Sequence, residues 1–169
     1  VLIPSQFGTQ MVGLEVGPDF AAGLYDPDPG MRAATARALG FSHDPSLLPI
    51  LLTHLRDPDL LAGDQVAQAI GRLGNAAAVP LLMPALSDTK EAIRARAAAA
   101  LGLLYAEEAI PQLSTMLRQD APLASRYAAE ALASIGTPAA MAALTAPLAD
   151  QGMTPARQAA MGALETAGQ

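Results

Sequence analysis

The sequence lacks cysteine and tryptophan, and its only lysine is Lys90. Without cysteine, the chain has no disulfides, no thiolate nucleophile and no cysteine-ligated zinc. Sixteen acidic residues against ten basic ones give a formal net charge of −6, which is the wrong sign for a surface that neutralises phosphates. We therefore expect no nucleic-acid partner.

Long apolar runs are missing as well. The most apolar stretch, 76–86, is too short to span a bilayer, and no basic segment precedes an apolar run as in a signal peptide. We expect a soluble protein without membrane insertion, in a compartment that stays open, with the cytoplasm favoured. Because the chain starts at Val1 and ends at Gln169 inside a helical pattern, we expect it to be a piece of a longer protein.

What the sequence has in abundance is alanine and leucine within a regular repeat. Apolar residues make up 51% of the chain, and Ala and Leu, which dominate them, are the strongest helix formers. Five leading leucines follow one another at intervals of 31 residues: Leu24, Leu55, Leu86, Leu117 and Leu148. An Asp stands two residues after each leader, except in the fourth unit, where Asp120 comes one place later. Such a period indicates stacked units of supersecondary structure.

Each unit is predicted to be two antiparallel helices joined by a tight turn. The first helices are predicted near 28–41, 59–73, 89–103, 121–135 and 153–166. Asp-Pro at 26–27 and 57–58 should start first helices, because the Asp accepts from free N–H groups and Pro suits the first position. Gly74 and Gly136 mark turns that need a left-handed residue. Pro84 should kink or end the second helix of unit two near Met83.

The predicted fold class is all-α, an α-solenoid of antiparallel helical hairpins with a 31-residue period. Residues 18–169 divide into a half repeat at 18–24, repeats at 24–54, 55–85, 86–116 and 117–147, and a partial repeat at 148–169. Residues 1–17 do not fit the pattern. They form either an N-terminal cap over the apolar end of the stack or an extended arm.

The units resemble HEAT repeats, of the short bacterial kind also found in phycobilisome lyases. The marks are an Asp before the first helix, an Arg six residues later, Leu-Gly at its end and Ile-Pro opening the second helix. These are carried by Asp26 with Arg32 and Leu39-Gly40, Asp88 with Arg94, Leu101-Gly102 and Ile110-Pro111, and Asp120 with Arg126. The resemblance implies a structural ladder of ion pairs along the stack: Asp26, Arg32, Asp57, Asp88, Arg94, Asp120 and Arg126.

Two expectations follow for this ladder. Gly63 stands where the second unit would have its Arg, so the ladder should be interrupted there. Arg94 should bond Asp88 and, in addition, an Asp of a neighbouring unit.

No group of residues points to catalysis or to a metal site. His43 and His54 are the only histidines and lack the paired spacing of zinc or iron ligands. The His-Glu pairs of HEAT-repeat metal hydroxylases are absent. Glu107 and Glu108 stand at the start of a second helix, where the helix dipole favours carboxylates. We expect no enzyme activity, no cofactor and no metal.

In HEAT solenoids the second helices line the concave side, which implies a partner surface at the positions 22, 26 and 29 residues after each leader. The first three units place these residues there: Ser46, Ile50, Thr53, Ala77, Leu81, Pro84, Glu108, Gln112 and Thr115. The fourth unit adds three alanines, Ala139, Ala143 and Ala146. The face is nearly uncharged, and its apolar cluster of Ile50, Leu81 and Pro84 calls for a covering partner.

The predicted function is therefore a non-catalytic protein–protein interaction module, a scaffold or adaptor. Its partner would be another protein or another domain of the same larger protein. The alternative is a phycobilin or other chromophore lyase-like protein, or another enzyme accessory, on the analogy of the fold alone.

Overall fold

The computed structural model describes residues 18–168, and the regular structure within them is entirely helical, which confirms the predicted fold class. The prediction of a cap or an arm at 1–17 lies outside the described residues. No helix within 18–168 combines the length and hydropathy that a membrane-spanning segment needs.

The described part begins with α1 (Pro18–Ala21), which continues into a 3₁₀ turn (Ala22–Tyr25). Four helical hairpins follow: α2 (Pro29–Gly40) with α3 (Leu48–His54), α4 (Leu60–Leu73) with α5 (Ala78–Leu82), α6 (Glu91–Leu103) with α7 (Ile110–Gln119), and α8 (Pro122–Ile135) with α9 (Pro138–Thr145). The final helix is α10 (Pro155–Ala167). The first helices, α2, α4, α6, α8 and α10, begin and end within two residues of the predicted limits.

The first helices form one layer in which each packs on the next, and the second helices form the other layer. The core between the layers is a row of fully buried leucines, among them Leu39, Leu101 and Leu132. Small residues let the first helices approach closely, since a Cβ placed on Gly40 would lie 2.7 Å from the Cα of Ala69. Burial is therefore shared between neighbouring units, as in other repeat proteins.

The first helices are capped two residues later than the sequence indicated. Asp28 accepts from the N–H of Gly30 and Asp59 from that of Ala62, so these residues are the N-caps of α2 and α4. Asp26 and Asp57 each accept instead from the N–H two residues on, at distances of 2.8 and 2.9 Å. The lead-in Asp thus shapes the turn before the helix, which leaves part of its carboxylate free for another donor.

Each hairpin turn needs a left-handed residue 19 positions after its leader. Gly74 and Gly136 supply it with φ of 65°, as predicted. In the first and third units the same position is held by His43 at φ 55° and Tyr105 at φ 53°. A residue with a Cβ is strained in this conformation, so two of the four turns store strain.

The second helices differ between alternate units. In the first and third units a 3₁₀ turn precedes the helix, at Pro45–Leu47 and Glu107–Ala109. In the second and fourth units a 3₁₀ turn follows it, at Met83–Ser87 and Ala146–Ala149. The α-helix of the second unit ends at Leu82, because Pro84 cannot donate to the carbonyl four residues back. The predicted break near Met83 is confirmed.

Candidate interaction face

The residues assigned to the partner surface lie on the outer side of the second-helix layer, here called the second-helix face. Eight of the nine are exposed, and only Ile50 is half-buried. Each second helix turns its leucines inward, with Leu51, Leu82 and Leu113 fully buried, and therefore presents its opposite side to solvent. The structure brings the nine residues to one surface, while binding at that surface remains a prediction.

Leu81 is the most exposed large apolar side chain among these nine, with 56% of its surface accessible. Ile50 differs from the expectation of an exposed cluster, because it packs against the core from the edge of α3. Pro84, in the 3₁₀ turn after α5, is exposed beside Ala85. The apolar centre of the second-helix face therefore consists of Leu81 and Pro84, and the half-buried Ile50 contributes less exposed surface to it.

A shallow groove of about 280 Å³ lies between the 3₁₀ turn after α5 and helix α7. Two of the predicted residues, Gln112 and Thr115, line it. Ser87 and Gln119 line it too, although the sequence did not point to them. Both residues follow the positions 22, 26 and 29 residues after a leader, from which the partner surface is predicted. Nothing in the 31-residue period identifies them as part of that surface.

The ladder is built differently from the predicted one in its first and third rungs. The guanidinium of Arg32 donates to both carboxylate oxygens of Asp57 in the next unit, at 2.7 and 2.9 Å. It also donates to the main-chain carbonyl of Asp26 in its own unit, at 2.9 Å. Arg94 does the same with the carboxylate of Asp120 and the carbonyl of Asp88. The predicted Arg94–Asp88 contact thus involves the main chain, and the carboxylate belongs to the neighbour.

The second and fourth rungs use a different arginine, the residue directly after the leader. Arg56 binds the carboxylate of Asp88 at 2.5 Å, and Arg118 approaches that of Asp150 at 3.5 Å. The predicted interruption at the second unit is therefore wrong, because Arg56 continues the ladder beyond Gly63. All four carboxylates are met by an arginine from the preceding unit, through two alternating geometries.

Arg126 is not part of the ladder, contrary to the expectation from its spacing. Its side chain is 55% exposed and contacts Glu130 on the same helix at 3.5 Å. It also lies over the ring of Tyr127, 4.9 Å from the centroid. Asp120 comes one place late although the 31-residue period is unchanged, so in the fourth unit the position of Arg32 and Arg94, eight residues after the leader, is held by Ser125. The buried Ser125 donates to the carbonyl of Leu117 at 2.7 Å.

Gly63 is required by an arginine of the next unit. Arg96 is 2% exposed, and its guanidinium donates to the carbonyls of Leu55, Asp57 and Asp59 at 2.8 to 3.0 Å. A Cβ on Gly63 would lie 1.9 Å from the Cζ of Arg96. The missing arginine of the second unit is thus replaced by one that reaches back from α6.

The same arginine joins three units. Its Nε lies 3.3 Å from Asp64 of α4, and the other oxygen of Asp64 lies 3.5 Å from the hydroxyl of Tyr127 on α8. Burial raises the pKa of Tyr127, and the nearby charge of Asp64 raises it further. Helices α4, α6 and α8 are consequently linked by polar contacts in addition to their packing.

The ladder lowers the pKa of the carboxyl groups of Asp57, Asp88 and Asp120. The hydrogen bond from Arg94 holds the pKa of Asp120 below its ordinary value, and that from Arg32 does the same for Asp57. For Asp88, the main-chain N–H of Lys90 is the largest cause of the lowered pKa, and Arg56 adds to it. These carboxylates are therefore ionised at neutral pH, and their role in the ladder is structural.

The described residues contain no group of three or more His, Asp or Glu side chains arranged around a common point. His54 packs edge-on against the ring of Tyr25 with centroids 4.6 Å apart, and desolvation lowers its pKa. His43 is the left-handed residue of the first hairpin turn.

The family model for HEAT repeats matches the chain twice, over residues 17–91 and 79–165. The two matches overlap at residues 79–91 and together span most of the chain. No curated protein sequence matches the chain.

Three solved structures are similar to this chain to different degrees. The complex of CpcE and CpcF of phycocyanin lyase from Nostoc sp. PCC7120 matches with a TM-score of 0.62 and 24% identity, over 99% of this chain and 69% of that one. An engineered protein matches with a TM-score of 0.52 and 19% identity, over 88% and 78%. Human deoxyhypusine hydroxylase gives 0.45 and 17%, over 88% and 83%.

Proposed function

Because the chain belongs to the HEAT-repeat family, we propose that it is a non-catalytic protein-binding module that takes its partner along the second-helix face. The observation that carries this proposal is Leu81, a leucine with 56% of its surface exposed on a face with almost no charge. An exposed leucine contributes little to folding, whereas at the centre of an interface it excludes water from neighbouring contacts. The groove beside Gln112 and Thr115 extends the same surface toward α7.

The composition of the second-helix face indicates the kind of partner that it suits. Apart from Glu108, the nine residues are apolar or neutral, including Pro84, Gln112 and two threonines. Such a surface offers hydrogen-bonding groups and apolar area without electrostatic steering. The expected partner is a folded protein or a neighbouring domain with a weakly charged complementary face, and its binding should depend little on salt.

The test is Leu81→Glu, compared with wild type in affinity capture from the source organism. A carboxylate placed at a desolvated interface has no cation nearby on this face, so the captured partner should be lost. Leu60→Glu is the matched control, since Leu60 is 63% exposed on the first-helix layer. Circular dichroism and thermal melting precede the capture, and both variants should melt close to wild type.

The outcomes separate the proposal from its alternatives. A partner retained by well-folded Leu81→Glu would move the binding site away from the second-helix face. The fold shared with the phycocyanin lyase complex makes a chromophore-lyase accessory the alternative function. Visible absorption of the captured material distinguishes the two, because that alternative requires a pigment-carrying partner.

A further inference from the structure

The outer surface of the first-helix layer, here called the first-helix face, has a charge pattern of its own. Five helices contribute to it, and equivalent positions recur along rows at fixed distances from each leader. Thirteen residues after the leaders stand Arg37, Gln68, Ala99, Glu130 and Met161. Seventeen residues after them stand Phe41, Arg72, Leu103, Ser134 and Glu165. Along both rows, positive charge in the first two units gives way to negative charge in the last two.

The basic end of this face is a patch formed by Arg37, Phe41, Leu61 and Arg72. Phe41 is 62% and Leu61 59% exposed. The Cζ of Arg72 lies 4.9 Å from the centre of the Phe41 ring, and Arg37 lines a groove with Leu61 between α2 and α4. Within the described residues, neither arginine makes an ion pair with a carboxylate. Exposed apolar and arginine side chains of this kind are enriched in interfaces.

The acidic end is a groove of about 750 Å³ between α8 and α10. Its walls include Leu123, Arg126, Glu130, Ala159 and Gly162. A Cβ placed on Gly162 meets nothing within 4 Å apart from its chain neighbours and the nearby backbone of α10. The Glu130 side chain makes an exposed contact of 3.5 Å with Arg126. Glu165 is exposed on α10. This end therefore offers an apolar recess with the carboxylates of Glu130 and Glu165 and one guanidinium, that of Arg126. The basic end offers apolar side chains with the guanidinium groups of Arg37 and Arg72.

We infer that the first-helix face is a site of self-association, occupied by a second copy of this chain in antiparallel order. A two-fold axis along α6 reverses the order of the units, so that unit one faces unit five and unit two faces unit four. Arg72 then lies one helical turn from Glu130 of the second copy, and Arg37 one turn from Glu165 of the second copy. Each contact occurs twice, as in any isologous interface.

The remaining positions on this face agree with the same arrangement. Leu61 of unit two meets the equivalent Leu123 of unit four in the second copy. Asp64, which is 37% exposed, has as its counterpart Arg126, which lies outside the ladder. At the axis the outer side of α6 is made of Ala92, Ala99 and Leu103, which carry no charge and allow close approach. The alternative axis, across the helices, would pair each unit with itself and bring like charges together.

The experiment uses two charge-reversed variants of the full chain. Variant one carries Arg37→Glu and Arg72→Glu, so both ends of its first-helix face are acidic. Variant two carries Glu130→Arg and Glu165→Arg, so both ends are basic. In sedimentation velocity at low salt, wild type should be a dimer, each variant alone a monomer, and an equimolar mixture of the two a heterodimer. Because the contacts are partly exposed ion pairs, the wild-type dimer should weaken on the order of tenfold in high salt.

Controls keep the test decisive if Arg72→Glu disturbs folding, since part of that side chain is buried. Arg37→Glu and Glu165→Arg involve exposed residues only and form a second pair for the same mixing experiment. Glu107→Arg, an equal charge change on an exposed residue at the start of the second-helix layer, should leave the dimer intact. A wild-type monomer at about 100 µM in low salt, or reversed variants that fail to combine when mixed, would overturn the inference.

Discussion

At the scale of single residues, the ladder binds the lead-in Asp of successive units through arginines in two different geometries. Arg32 and Arg94 stand six residues after their lead-in Asp, and each reaches the next unit's carboxylate from the first helix. Arg56, in the turn after α3, and Arg118, in the last turn of α7, reach the equivalent carboxylates. Both geometries bind the Asp that shapes the following turn. The ladder therefore ties the turn before each first helix from α4 to α10 to an arginine of the preceding unit.

Arg94→Ala should lower the free energy of unfolding by about 2 kcal/mol at pH 7. Its side chain is 17% and that of Asp120 13% exposed, so the change leaves a poorly solvated carboxylate without its main donor. Arg118→Ala is the control, because that pair is 40% and 35% exposed and should contribute under about 0.5 kcal/mol. Urea unfolding measures both. Equal losses would show that burial of the pair does not matter.

The stability difference between wild type and Arg94→Ala should depend on pH, and the direction follows from the pKa of Asp120. Arg94 lowers the pKa of Asp120 in the folded state, so the stability it provides is complete above the ordinary carboxyl pKa and is lost as the pH falls through the folded value. The difference between wild type and Arg94→Ala should therefore shrink below about pH 4. A difference that stays constant from pH 7 to pH 3 would contradict an ionic contact.

At the scale of the element, the period predicted every first helix but could not predict how each one starts. Spacing fixes which side of a helix is buried, and the leading leucines are accordingly buried in all four complete units. It does not tell which of two acids, Asp26 or Asp28, caps the helix, because both precede it. Nor does it show that Glu91 of α6 accepts from the N–H groups of Leu123 and Ala124 at the start of α8. That contact joins residues 32 and 33 positions apart, and only the packed structure reveals it.

The hairpin turns give a prediction at this scale. Tyr105→Gly should stabilise the protein by about 0.5 kcal/mol, because relief of left-handed strain exceeds the added entropy of the unfolded chain. Gly136→Ala, at the equivalent position, should destabilise it by about 1 kcal/mol. An added Cβ there has its nearest neighbour at 3.6 Å, the carbonyl oxygen of Ala133, so backbone strain is the main cost. Thermal unfolding of the two variants should shift in opposite directions, and shifts of the same sign would exclude this explanation.

At the scale of the whole molecule, two successive hairpins behave as one module. Ladder geometry, turn residue and the place of the 3₁₀ turn all alternate between neighbouring units and recur after 62 residues. The packing of the first helices also recurs after 62 residues. A Cβ placed on Gly40 or on Gly102 would lie 2.7 Å from a Cα of the next first helix. The 31-residue period does not reveal this longer one, because Arg56 and Arg118 do not belong to the marks that define a unit. For the same reason the sequence alone predicts a gap in the ladder at Gly63.

Gly63 is instead the point where the two modules join, and this makes the last prediction. Gly63→Ala should cost about 3 kcal/mol or more, since its Cβ displaces a buried guanidinium from the carbonyls that it satisfies. In an Arg96→Ala background the same change should cost under about 1 kcal/mol, because nothing remains to be displaced. Gly162→Ala, in an uncrowded helical position, is the matched control and should be neutral or stabilising by up to about 1 kcal/mol. Urea unfolding of the four proteins in the double-mutant cycle measures the coupling, and additive costs would show that Gly63 and Arg96 do not act as one junction.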